Sequence, residues 1–130
     1  EAVWSLFTSN INASSRCVDN FSGLQRPILA VYWWGCDAEL SGGWSECDRP
    51  EPDKFRIIFY RDEGGEPGES VRIFNLEPSV RDTGLDGRSL FDIKEYRAIL
   101  PSPVDMETGW VSVMGAGSST CLFRWIGSPE

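Results

Sequence analysis

The stretch "AVYWWGC", Ala30–Cys36, decides how the chain is read, because it sets three aromatic rings side by side and then stops at a glycine and a cysteine. In a strand, successive side chains point to opposite faces. Leu29, Val31 and Trp33 then share one face, while Ala30, Tyr32 and Trp34 share the other. Both faces carry bulk. Such a strand is either buried between two layers or half buried with an exposed aromatic face, and the stretch alone leaves both open.

The segments around it have the same character. "AVWSLFT" alternates, "RCVDNFSG" is short and ends in a turn, and "DKFRIIFYRD" and "ESVRIFNL" flank the turn-rich "EGGEPG". Phe55, Ile57 and Phe59 fall on one face of their strand, with Arg56, Ile58 and Tyr60 on the other. In "IKEYRAIL" Tyr96, Ala98 and Leu100 alternate, and "GWVSVMG" and "CLFRWIG" close the chain as two β-rich runs around "AGSS". The best helical candidate, "SLFDIKEYR", does not sustain an apolar stripe. Short strands with turn signals at close intervals predict an all-β protein, an antiparallel β-sandwich or jelly roll.

At 130 residues the chain fits one domain, 1–130, large enough to bury a core without a metal. The net charge of −8 argues against nucleic acid and anionic membrane as partners, since both demand a basic surface. The absence of His removes the commonest general base, the Ser-His and Cys-His dyads and the most frequent zinc ligand. No run approaches the roughly 18 apolar residues of a membrane span. The chain opens at Glu1 and closes on "GSPE", which reads as a segment of a longer secreted protein. Cys17, Cys36, Cys47 and Cys121 suit two disulfides in an oxidising compartment. Three pairings exist; the favoured one joins Cys36 to Cys47 across a Gly-rich loop and leaves Cys17 for Cys121. The sequons at Asn12 and Asn20 read as chance matches.

"VDNF", "PILAVYWWG", "KFRIIFYRDEGGEPGESV" and "YRAILPSPVDMETGWVSVMG" follow one another in an order that resembles a jelly-roll accessory module of secreted, multimodular bacterial proteins. In that module a "DDF" strand precedes a "WWG" strand, an "F-x-I-x-F-Y-x-D-x-G-G-x-P-G" hairpin and a "G-x-Y-W-x-S" strand. Asp19, Asn20 and Phe21 match the first element with Asn for the second Asp, and Trp33, Trp34 and Gly35 match the second. Phe55, Ile57, Phe59, Tyr60, Asp62, Gly64, Gly65, Pro67 and Gly68 match the third; Gly109, Trp110 and Ser112 match the fourth loosely. The resemblance runs from Asp19 to Trp125. It implies a non-catalytic extracellular module beside other modules of its polypeptide, similar to carbohydrate-binding β-sandwich modules.

Sugar rings stack their C–H faces on flat aromatic surfaces while their hydroxyls bond carboxylates and amides. Candidate ligand residues are therefore Tyr32, Trp34 and Trp44, with Asp37 and Asp48 nearby in sequence. Trp33 reads as core. Trp44 sits in the polar "ELSGGWSEC" loop, where it is either a binding ring or a lid over one end of the sandwich. In "RDEGGEPGES", Asp62, Glu63 and Glu66 could ligate Ca²⁺, against the plainer reading of a solvated turn. An enzyme would have to work with carboxylates alone, and nothing singles out a pair. The expected function is non-catalytic binding of a polysaccharide or cell-surface polymer; the alternative is a structural or adhesive spacer with no small ligand.

Overall fold

The computed structural model describes residues 5–11, 17–49, 54–87, 91–118 and 120–127; the Asn12 sequon and Trp4 lie outside them. The described residues form ten strands. They are β1 (Ser5–Thr8), β2 (Asp19–Phe21), β3 (Ile28–Leu40), β4 (Trp44–Glu46), β5 (Phe55–Glu63), β6 (Glu66–Leu76), β7 (Ser79–Gly87), β8 (Phe91–Val104), β9 (Gly109–Gly115) and β10 (Leu122–Gly127). One sheet runs β1-β10-β3-β8-β7 with β4 paired to the end of β3; the other runs β2-β9-β5-β6. The strand pairs are antiparallel. The all-β sandwich expected from the strand pattern is therefore present.

The apolar faces meet between the sheets. Trp33, Tyr96, Ala98, Leu100 and Phe123 from the first sheet pack on Phe55, Ile57, Phe59, Phe74 and Val113 from the second. Trp33 stacks on Tyr96 at 5.5 Å between ring centroids, and Phe55 meets Trp33, Tyr96 and Phe123 edge-on at 5.2, 4.9 and 4.9 Å. Such ring pairs contribute about 0.5–1.5 kcal/mol each beyond the area they bury. The inward sets Phe55, Ile57, Phe59 and Tyr96, Ala98, Leu100 are those the alternation predicts.

Gly35 follows Trp33 on the inward face for a steric reason. A Cβ there would run into the Phe123 ring and the Arg124 carbonyl, so the glycine lets β10 close against β3. In "EGGEPG" the turn is tighter than the loop expected: Glu63 pairs with Glu66, leaving Gly64 and Gly65 at φ 64° and 89° as a two-residue hairpin turn, while Pro67 and Gly68 belong to β6.

β7 is a strand that the pattern above does not include. It pairs with β8 through a bulge between Asp82 and Leu85. The disulfide pairing also differs from expectation. Cys47 joins Cys121, and Cys17 and Cys36 are thiols. Alternation explains why Cys36 does not meet Cys47. Cys36 faces outward with Ala38, whereas Cys47 lies opposite Asp37, its N–H donating to the Asp37 carbonyl at 3.4 Å, on the other side of β3.

Candidate functional site

Alternation along β3 splits the adjacent tryptophans. Trp33 is 1% exposed, whereas Trp34 is 44% and Tyr32 55% exposed on the outer face of the larger sheet. Two residues apart on one strand, their Cα atoms stand about 7 Å from each other. Directly opposite residues on antiparallel strands share a face, so the register names their neighbours. Trp34 lies beside Glu95 and, beyond it, Arg81; Tyr32 lies beside Arg97 and Ser79; Ala30 lies beside Ile99. The result is an open sheet surface with two exposed rings, an exposed Ile99, and a row of charged side chains.

The charges are ordered. Arg81 forks onto Glu95, with Nη2 donating to Oε2 at 3.0 Å and Nε to Oε1 at 3.4 Å. Arg97 is exposed and places its guanidinium 5.5 Å from the centroid of the Tyr32 ring, within cation–π range. Below Tyr32 an apolar cleft of about 360 Å³ opens between the sheets, walled by Phe21, Leu24, Ile28 and Val111.

Trp44 occupies a different setting. It is half-buried, packs on the satellite cluster of Cys36, Ala38 and Ile93, and carries the Arg124 guanidinium over its ring at 4.0 Å. Burial, with Asp37 and Glu46 nearby, pushes the Cys36 thiol up to about 12. The thiol is therefore neutral and inert at ordinary pH.

Asp37 points inward rather than toward the rings. Its Oδ1 accepts from Arg49 Nε at 3.0 Å, and both side chains are almost fully buried. Arg49 also donates to the carbonyls of Lys54 and Ala116 at 3.1 and 2.8 Å and lies 4.7 Å from the Phe55 centroid. Burial raises the Asp37 pKa above the ordinary aspartate value, with Arg49 pulling it back. Asp48 is exposed and shares with Asp37, Glu46, Cys47, Asp92 and Lys94 a polar pocket of about 240 Å³ at the end of the sandwich. Tyr32 and Trp34 thus sit together, while Asp37 and Asp48 belong to this separate pocket.

The expected Ca²⁺ ligands do not converge. Asp62 Oδ1 accepts from the Trp110 indole at 2.8 Å, and Glu63 folds back over Gly68, where its Oε1 accepts from the Glu69 N–H at 3.4 Å. Among the described residues no group of three or more Cys, Asp or Glu side chains is placed to hold an ion.

Sequence reasoning overlooked Glu95, Arg97 and Arg81. The signal for the first two was present in β8: if Tyr96, Ala98 and Leu100 face inward, Glu95, Arg97 and Ile99 face outward. That β8 lies beside Trp34 is a tertiary fact. Compared with known proteins, the chain matches no family model, no curated protein and no solved structure.

Proposed function

We propose that the chain is a non-catalytic extracellular module of jelly-roll type that binds a polysaccharide or cell-surface polymer and tethers a larger protein to it. The observation that carries the reading is the pair Tyr32 and Trp34, two large rings held in the open on a sheet face instead of in the core. Isolated exposed apolar residues need no explanation, but two aromatic rings in register beside paired Arg81 and Glu95 match what a sugar chain needs. The rings take the C–H faces; the carboxylate and guanidinium take hydroxyls. The strand order β1-β10-β3-β8 over β2-β9-β5-β6 supports the jelly-roll topology, with β4 and β7 as additions. The Cys47–Cys121 disulfide supports an oxidising location.

The test is affinity electrophoresis through gels containing single soluble polysaccharides, run with the wild type and with Trp34→Ala. Retardation by at least one polymer, lost in Trp34→Ala, is the expected result. A wild type that none of a broad panel retards would favour the spacer reading, which the packed state of Trp33 and Trp44 supports.

A further inference from the structure

The chain carries a net charge of −8, which at first sight makes a polyanion an unsuitable ligand. Local charge is another matter. Exposed charges further apart than a Debye length, about 8 Å at physiological salt, are largely screened, so a ligand on Trp34 responds to its immediate neighbours. On the outer face, the ladder positions level with Ala30 to Cys36 carry three arginines, Arg81, Arg97 and Arg124, against one acid, Glu95. Glu95 is already engaged by Arg81. Arg97 is exposed, and among the described residues no carboxylate forms an ion pair with it. Among the described residues, the strongly exposed ring platform of this acidic protein is thus locally basic.

We infer that this face recognises an acidic glycan, a chain containing uronic acid residues, with a sugar ring on Trp34 and a ring carboxylate in the fork of Arg97. The inference rests on the carbohydrate reading above and names its ligand class. Arg97 is a diagonal neighbour of Trp34, about 7–8 Å away, within the span of a sugar ring and its exocyclic carboxylate. Tyr32 has a positioning role: its ring supports the Arg97 guanidinium at 5.5 Å, limiting the freedom that a flexible side chain would otherwise lose on binding. A planar guanidinium meets a carboxylate through two parallel N–H donors, which makes the contact directional as well as charged. Glu95, neutralised by Arg81, adds no repulsion and keeps lone pairs for sugar hydroxyls.

The experiment compares a linear polyuronate, the same polymer after carboxyl reduction, and a sulfated polymer of equal charge density, each titrated at low and physiological salt. The proteins are the wild type, Arg97→Gln, Trp34→Ala and, as a charge control on the other sheet, Arg56→Gln. The wild type is expected to hold the polyuronate roughly tenfold or more tighter than the reduced polymer. Arg97→Gln should erase that preference, Trp34→Ala should weaken both polymers, and Arg56→Gln should change neither. Both altered side chains on the platform are exposed, and far-UV circular dichroism confirms that each variant folds. Equal binding of the reduced polymer, an unaffected Arg97→Gln variant, or equally tight binding of the sulfated polymer overturns the acidic-sugar inference and leaves the carbohydrate reading standing. Failure to bind any polysaccharide, or Trp34-dependent self-association in sedimentation, overturns both.

Discussion

Replacing Arg49 with Met isolates the strongest electrostatic commitment in the fold. The side chain is shielded from solvent, and its loss strands the Asp37 carboxylate and takes the guanidinium donor from the Ala116 carbonyl, while the Lys54 carbonyl keeps the Ala116 N–H at 3.1 Å. Breaking one side of such a buried pair costs about 3–5 kcal/mol. A ceiling on the charge part follows from proton uptake, since a stranded carboxylate can always neutralise itself. Starting from an unfolded pKa of 3.8, that escape costs about 4 kcal/mol at pH 7 and about 1.5 kcal/mol at pH 5. The sign is fixed by linkage: the native variant holds a proton on Asp37 that the unfolded chain releases, so its stability falls as pH rises above 3.8. The Ala116 carbonyl, deprived of that donor, adds about 1 kcal/mol, independent of pH. Urea unfolding followed by circular dichroism at pH 5 and pH 7 should therefore show Arg49→Met losing about 4–5 kcal/mol at neutral pH and about 2–3 kcal/mol less at pH 5. The double variant Asp37→Asn, Arg49→Met should recover most of the charge part and lose the pH dependence. A single variant equally destabilised at both pH values, or a double variant no better than the single, would refute the reasoning.

Three further outcomes follow from packing and covalent structure. Gly35→Ala should destabilise the fold by about 1–3 kcal/mol or more, read from the urea midpoint, because the added methyl meets Phe123 and backbone together; a neutral effect would mean that β10 does not close on β3 as described. Reducing Cys47–Cys121, separated by 74 residues, should cost about 4 kcal/mol in the chain-entropy model and lower the melting temperature by about 10 °C or more; an unmoved melting temperature would count against the bridge. Cys36, with its thiol pushed up to about 12, should resist iodoacetamide in the native state at pH 8 and react once urea unfolds the chain, as followed by mass spectrometry.

What the sequence made legible is what period and local sterics determine. The division between Trp33 and Trp34 and the inward sets on β5 and β8 follow from alternation, and the place of the connection between β5 and β6, though not its tightness, from glycines suited to positive φ. Features set by distant partners were not legible. Asp37 looked like a ligand acid because it follows the aromatic stretch, yet Arg49, itself 2% exposed, claims it from the far side of the β4 loop. Asp62 looked like an ion ligand, and its partner Trp110 comes 48 residues later. Trp44 reads as a loop ring in sequence, and only the register of β4 on β3 shows it lying over Cys36 and Ala38. The disulfide failed for a related reason, since proximity in sequence said nothing about which side of β3 each cysteine faces.

The central claim is that ligand binds at the outer face of the larger sheet, and nuclear magnetic resonance maps that most directly. In a titration of the isotopically labelled chain with a polysaccharide that retards it, the indole signal of Trp34 and the amides of Tyr32, Glu95 and Arg97 should shift together. The signal of buried Trp33 should move little. Shifts confined to the polar pocket of Asp48 and Asp92, or to the face of the smaller sheet, would contradict the account.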